Sequence, residues 1–236
     1  MSSLVLAVDT AFDRCSLALL DARSDAILAL REPPMAKGHA EALMGLLAEA
    51  LAEAGVAYGD LGRLGVTVGP GSFTGVRVGV SAVRALALAL AIPAVGVTTL
   101  EAMAAPYRAR GRAVLSVLDA KRGELHVALY ASEGACLAPP AAIAPTALEA
   151  FVGGALGKGE PLLLVGSGAS VACEHLGPGR CEIGLEAARV EIAALARLCA
   201  ARAPDGPPRP LYLRSADAKP PAPSGLFGAA GPGAAS

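Results

Sequence analysis

Apolar positions along this chain follow two rhythms. Leu4 to Val8 is an unbroken apolar run of strand length, and Ser16 to Leu20 and Ala26 to Leu30 can continue it as an antiparallel meander. The period then changes. From His39 to Ala54, Leu43, Leu46, Leu47, Ala50, Leu51 and Ala54 fall at helical spacing, with Glu41, Glu49 and Glu53 on the other side and Gly55 suited to the stop. Leu64 to Val68 reads as a further strand, leading into a helix over Thr74 to Ala91. In that helix Arg77, Ser81 and Arg84 form a narrow polar stripe, and nearly everything else is apolar. Such a helix is normally covered on most sides, more than one small lobe supplies. Thr98 with Glu101 resembles a capping box and predicts a third helix, which Pro106 bends or ends. A last helix is expected over Leu185 to Arg202, with Ile192, Leu195, Ala196 and Cys199 at helical spacing. After Ala203 the chain turns proline-rich, and from about Lys219 its Pro/Gly/Ala/Ser composition predicts disorder.

The pattern repeats. Asp9 ends one apolar run and precedes Ala18-Leu19 by nine and ten residues, and Asp119 stands in the same relation to Ala128-Leu129. Val68-Gly69-Pro70-Gly71 has an echo in Val165-Gly166-Ser167-Gly168. Two similar α/β lobes are expected, each opening with a strand–Asp–turn–strand unit. The boundary falls near Ala104 to Gly111, giving lobes over 1–104 and 105–215, the last helix packing back on the first lobe, and a tail over 216–236.

Composition narrows the chemistry. The net charge is −1, aromatic residues make up 3% and Trp is absent, which argues against a protein that grips nucleic acid alone. Five cysteines, at 15, 136, 173, 181 and 199, are scattered without CxxC spacing and suit a reduced, cytoplasmic chain. The start reaches Asp9 too soon for a signal peptide. The longest apolar run, Ala85 to Val97, holds Pro93 and falls short of the ~20 residues of a membrane span.

The most informative segment is Gly69-Pro70-Gly71-Ser72-Phe73-Thr74-Gly75-Val76-Arg77-Val78-Gly79. Its glycines allow positive φ and close approach, Ser72 or Thr74 can cap the helix that follows, and free amides at that helix start could hold an anion. The loop is either a phosphate cradle or a rigid docking turn. Arg77 suits an anion at its mouth or a salt bridge with a partner glutamate.

This segment resembles the signature of the TsaB family, the partner subunit in bacterial synthesis of threonylcarbamoyl-adenosine at tRNA position 37. Four other pieces agree in order: Leu6-Ala7-Val8-Asp9-Thr10-Ala11, His39-Ala40-Glu41, Asp119-Ala120-Lys121-Arg122-Gly123-Glu124 and Tyr212-Leu213-Arg214. The likeness covers roughly residues 4–215. It implies the duplicated actin/Hsp70/sugar-kinase fold, with ribonuclease H-like mixed sheets flanked by helices. In that superfamily two acidic turns hold phosphate and Mg²⁺, and a Gly-rich turn in the second lobe holds adenosine. Asp9, Thr10, Asp119, Gly166 and Gly168 occupy comparable places as a vestigial nucleotide site. The glycine favoured straight after each aspartate is missing, and Phe12 is bulky where a phosphate needs close approach. The catalytic paralogue TsaD carries a metal-binding His-x-x-x-His helix, and here the matching positions are Thr99 and Met103, neither a replacement for imidazole.

The resemblance therefore implies a non-catalytic subunit that binds no metal and no cofactor tightly, a nucleotide at most weakly. Its expected partners are TsaD and the ATPase TsaE. Alone it forms a homodimer, and tRNA is met only through the complex. The expected partner interface lies on Val76, Val80, Val83, Leu86, Ala87 and Leu90 of the apolar helix, with Ala42 and Leu46 of the helix before it. The alternatives are a small ATP-dependent kinase of the same superfamily, using Asp9 and Asp119 on Mg-ATP, and a metallopeptidase. His39, His126 and His175 lie far apart in sequence, and His39 with Glu41 suits a helix start.

Overall fold

A computed structural model describes residues 2–121, 123–157 and 159–213. Arg122, Arg214 and the tail, with the disorder expected there, lie outside the described residues.

Strands β1 (Leu4–Asp9), β2 (Ser16–Asp21) and β3 (Ala26–Arg31) form the antiparallel meander, with Leu6 opposite Leu19. After helix α1 (His39–Ala54), strand β4 (Leu61–Thr67) joins β1 in parallel. Helix α2 (Phe73–Leu90) crosses to β5 (Ala94–Val97), parallel to β4. The sheet order is β3-β2-β1-β4-β5. Helix α3 (Thr99–Ala104) and a 3-10 turn through Pro106 lead into the second sheet. There β6 (Ala113–Asp119), β7 (Leu125–Tyr130) and β8 (Cys136–Ile143) repeat the meander. Helix α4 (Leu148–Gly153), β9 (Leu162–Val165), α5 (Ala169–Leu176) and β10 (Cys181–Leu185) follow, in the order β10-β9-β6-β7-β8.

Connection by connection and direction by direction, the second sheet repeats the first. Asp9 and Asp119 end equivalent strands, and Gly69 and Gly166 follow or close on equivalent strands with φ of +102° and +116°. The chain has the two-lobed α/β architecture expected from the internal repeat, two equivalent mixed sheets flanked by helices.

Three apolar clusters fill the spaces between layers. α1 and α2 cover the outer face of the first sheet, α4 and α5 that of the second, and α3 with helix α6 (Ile192–Ala201) lies between the sheets. α6 follows the second lobe in sequence but rests on β1, β2 and β4 of the first. Arg63 on β4 holds it there, its Nη1 donating to the carbonyls of Cys199, Ala200 and Arg202 at 2.7–2.8 Å. These are the orphan carbonyls at a helix end, where a cation is also favoured by the helix dipole. Arg63→Met should therefore lower the unfolding free energy by about 2 kcal/mol in urea denaturation. An unchanged midpoint would mean that water replaces the guanidinium without loss.

Two expectations are corrected. Leu185 to Arg202 is not one helix, because Cys181–Ile183 and Leu185 pair with β9 as an edge strand and α6 begins only at Ile192. The capping box at α3 is half formed. Thr98 Oγ1 accepts from the Glu101 amide at 3.1 Å, while the Glu101 carboxylate turns to Arg108 and Arg202. α2, at 18 residues and a mean hydropathy of 1.5, is long and apolar enough to cross a membrane. Here it lies along the first sheet with Arg77 and Arg84 exposed on its outer side.

Candidate functional site

The glycine-rich loop is pressed onto the turn after β1. The Ser72 amide donates to the Ala11 carbonyl at 2.8 Å, and Thr10 Oγ1 donates to the Gly75 carbonyl at 2.7 Å inside the core. A Cβ on Gly75 would overlap the Thr10 carbonyl oxygen, and one on Gly79 would stand 2.5 Å from Thr10 Oγ1. Gly71 has the same relation to Ala11, at 2.8 Å from its carbonyl. The glycines are thus consumed by chain-to-chain contact. At these positions the loop is a rigid turn packed on its own chain. Ser72 caps α2, accepting from the Gly75 amide. Behind the loop, Gly69 accepts from the Thr99 amide, and Val68 accepts from Leu211 in the returning segment 203–213. The second lobe repeats the device, since a Cβ on Gly166 would overlap the Val117 carbonyl.

Asp9 is sealed beneath this turn, 3% exposed. Its Oδ1 accepts from Thr67 Oγ1 at 2.5 Å and from the Ala11 amide at 3.2 Å. Burial lifts its pKa from 3.8 to about 6, against the lowering effect of these hydrogen bonds and of nearby His39. Asp119 is exposed, its carboxylate accepts from the Lys121 amide at 2.7 Å, and its own amide donates to Ser167 Oγ at 3.1 Å. Each carboxylate thus closes the turn that follows it. Between the lobes lies a cavity of about 780 Å³ lined by Arg14, Ser72, Asp119, Lys121, Ser167 and Arg189, among others. Phe12 also lines it while packing on the first-lobe cluster and on the cluster between the sheets. Asp9 does not reach this cavity.

Thr99 and Met103 are buried, and a Cβ on Gly166 would lie 2.7 Å from Met103 Cε. Both positions belong to the packed layer between the sheets. The histidines stay apart. His39 Nε2 meets the Phe12 carbonyl at 3.1 Å and ties the start of α1 to the β1–β2 turn. His126 lines the cavity, and His175 Nδ1 sits 2.9 Å from the Val171 carbonyl of its own helix.

The expected interface needs correction. Val76, Val80 and Val83 are 3%, 2% and 0% exposed and belong to the core under α2. They sit on the side of Gly75 and Gly79, which touches Thr10, and so face inward. Leu86, Ala87, Leu90 and Leu46 are half-buried shoulders of the same cluster, and Ala42 is half-buried on α1. The outer face is the other one: Phe73, Arg77, Ser81, Ala85 and Leu88 of α2, beside Met44, Gly45 and Ala48 of α1. Leu88 is 85% exposed. Open grooves of about 460 and 530 Å³ flank this face, one between α1 and α2, the other between α2 and Pro204–Pro208.

Composition alone did not reveal the group at the head of this face. The Arg77 guanidinium stacks 3.5 Å from the Phe73 ring centre, and its Nε donates to Tyr212 Oη at 2.7 Å. The two rings lie 5.7 Å apart. No carboxylate pairs with Arg77 among the described residues. Phe73 and Arg77 of the signature segment and Tyr212, distant in sequence, are therefore one exposed group.

Comparison with known proteins places this arrangement. Residues 33–172, more than half of the chain, match the family model described as TsaD: tRNA N6-adenosine threonylcarbamoyltransferase. Relatives named tRNA threonylcarbamoyladenosine biosynthesis protein TsaB are 35% identical over 128 residues in Escherichia coli K12 and 36% over 126 in Bacillus subtilis 168. The chain belongs to this family, in its TsaB line. The matches cover 53% of the chain and 54% of each relative, so the chain spans about half the length of the curated relatives it matches. The likeness to solved structures runs further. A Pseudomonas aeruginosa protein described as similar to peptidase YeaZ aligns with a TM-score of 0.71 at 27% identity, over 91% of this chain and all of that one. YeaZ from the same organism gives 0.69 at 28%, over 85% and 91%.

Proposed function

We propose that the chain is a non-catalytic partner subunit required for formation of N6-threonylcarbamoyladenosine at position 37 of tRNA. It scaffolds and activates TsaD together with the ATPase TsaE, in the cytoplasm, and touches tRNA only through the complex. The observation that carries this reading is the unpartnered outer face of α1 and α2, where Phe73, Met44 and Leu88 are exposed among alanine, glycine and serine. Small residues let another helix pair approach closely, and exposed apolar anchors supply the burial. Alone, the same face closes a homodimer, since isologous contacts are the commonest. Two further observations agree. Asp9 is sealed from the interlobe cavity, and Thr99 and Met103 are core residues.

Leu88→Glu and Met44→Glu should leave the thermal midpoint within about 1 °C and weaken TsaD binding about 30-fold or more in titration calorimetry, the scale of losing an interface anchor. Unchanged affinity in both variants would move the interface elsewhere.

The interlobe cavity favours one second reading, a small ATP-dependent kinase or ATPase with a nucleotide bound there. Mg-ATP at 100 times its Kd adds roughly 2.7 kcal/mol of stability. A thermal midpoint indifferent to Mg-ATP at millimolar concentration removes that reading.

A further inference from the structure

We propose that Cys173 and Cys181 are a disulfide-forming dithiol that clasps helix α5 to edge strand β10 in the second lobe. Cys173 lies in the middle of α5, and Cys181 is the first residue of β10. The helix ends at Gly177, φ +92°, and the Arg180 amide returns to the Gly177 carbonyl at 3.1 Å, so the chain doubles back within four residues. Arg180 is fixed by Glu149 and by the Glu160 carbonyl, and its own carbonyl accepts from the Leu162 amide. This turn packs β10 back against α5, close enough for the Cys173 side chain to act on the Cys181 thiol. Both side chains pack on the same apolar cluster and both are half-buried, whereas Cys15 and Cys199 are fully enclosed. Among the described residues no group of three or more metal-ligating side chains occurs, so the pair is not part of a larger ligand set.

Burial, and next the neighbouring Cys173, push the Cys181 thiol up to about 11. Cys181, held in its thiol form, is the resolving sulfur. The oxidant is a small disulfide such as glutathione disulfide. The Cys173 thiolate attacks one of its sulfurs, releasing one thiol and leaving a mixed disulfide. Cys181 then loses its proton and attacks the Cys173 sulfur, releasing the second thiol. One disulfide is consumed, one forms, and two thiols leave.

The test is incubation of the full chain with excess glutathione disulfide at pH 8, then tryptic mapping without reduction. Trypsin cuts after Arg180, so the two cysteines fall in different peptides. A single linked peptide joining Cys173 to Cys181, lost on addition of dithiothreitol, is the expected result. The oxidised chain should also melt higher than the reduced one, a gain absent from Cys173→Ser. Both residues remaining free thiols, or both persisting as glutathione adducts, would overturn the proposal.

Discussion

Gly75→Ala is expected to lower folding stability by about 3 kcal/mol, the reverse of what helix propensity alone gives. In an ordinary helix interior the change gains up to about 1 kcal/mol. Here the new Cβ would occupy the place of the Thr10 carbonyl oxygen, a backbone atom that cannot swing aside. Overpacking of this kind costs about 1–3 kcal/mol, occasionally more. The damage would also reach Asp9, since the same turn seals it. Gly45→Ala is the control. Gly45 lies within α1 and has nothing within 4 Å of an added Cβ, so that variant should gain the helix term, about 0.5–1 kcal/mol. Guanidinium denaturation of both variants reads the two signs. A neutral or stabilising Gly75→Ala would mean that the loop is not docked on the β1 turn.

Asp9→Asn should stabilise the chain at pH 8 and flatten its stability between about pH 4 and 6. Burial raises the folded pKa of Asp9 from 3.8 to about 6. Below 3.8 both folded and unfolded states hold the proton, and the group has no effect. Between the two values the folded state keeps a proton that the unfolded state releases, so stability falls as pH rises. Above about 6 the full penalty of a buried carboxylate is present, about 3 kcal/mol from the size of the shift. Asparagine keeps the oxygen that accepts from Thr67 and Ala11 and carries no charge. His39 and Glu32 are the charged neighbours that act on Asp9, in opposite senses. Urea midpoints of parent and variant at pH 4.5, 6 and 8 should diverge only as pH rises. Parallel curves would place Asp9 in contact with water.

The parts of the fold legible in the sequence were those written in long apolar runs. β1 to β3, α1, β4 and α2 follow from periodicity, and the echo of Asp9 in Asp119 exposed the duplication. The second lobe was harder. α4 and α5 are six and eight residues long, too short for a helical period to declare itself. β8 contains Pro139 and Pro140, residues that disfavour a strand and are tolerated because this one lies at an edge. α2 misled for a different reason. It is apolar nearly all round, so hydrophobicity cannot separate its core face from its outer one. The signal was present in the smallest and most polar residues: Gly75 and Gly79 mark the side that touches Thr10, and Arg77, Ser81 and Arg84 mark the opposite side. The meeting of Tyr212 with Phe73 and Arg77 had no such signal, because it depends on how segment 203–213 returns along Val68.

The central claim is that the outer face of α1 and α2 exists to hold a partner. Light-scattering chromatography tests it most directly, with the chain run alone and then mixed with TsaD from the same organism. The account predicts a homodimer that gives way to a stable heteromer with TsaD, and a Leu88→Glu variant that is a folded monomer and stays one in the mixture. A chain that elutes as a monomer and remains unmoved by TsaD would contradict it.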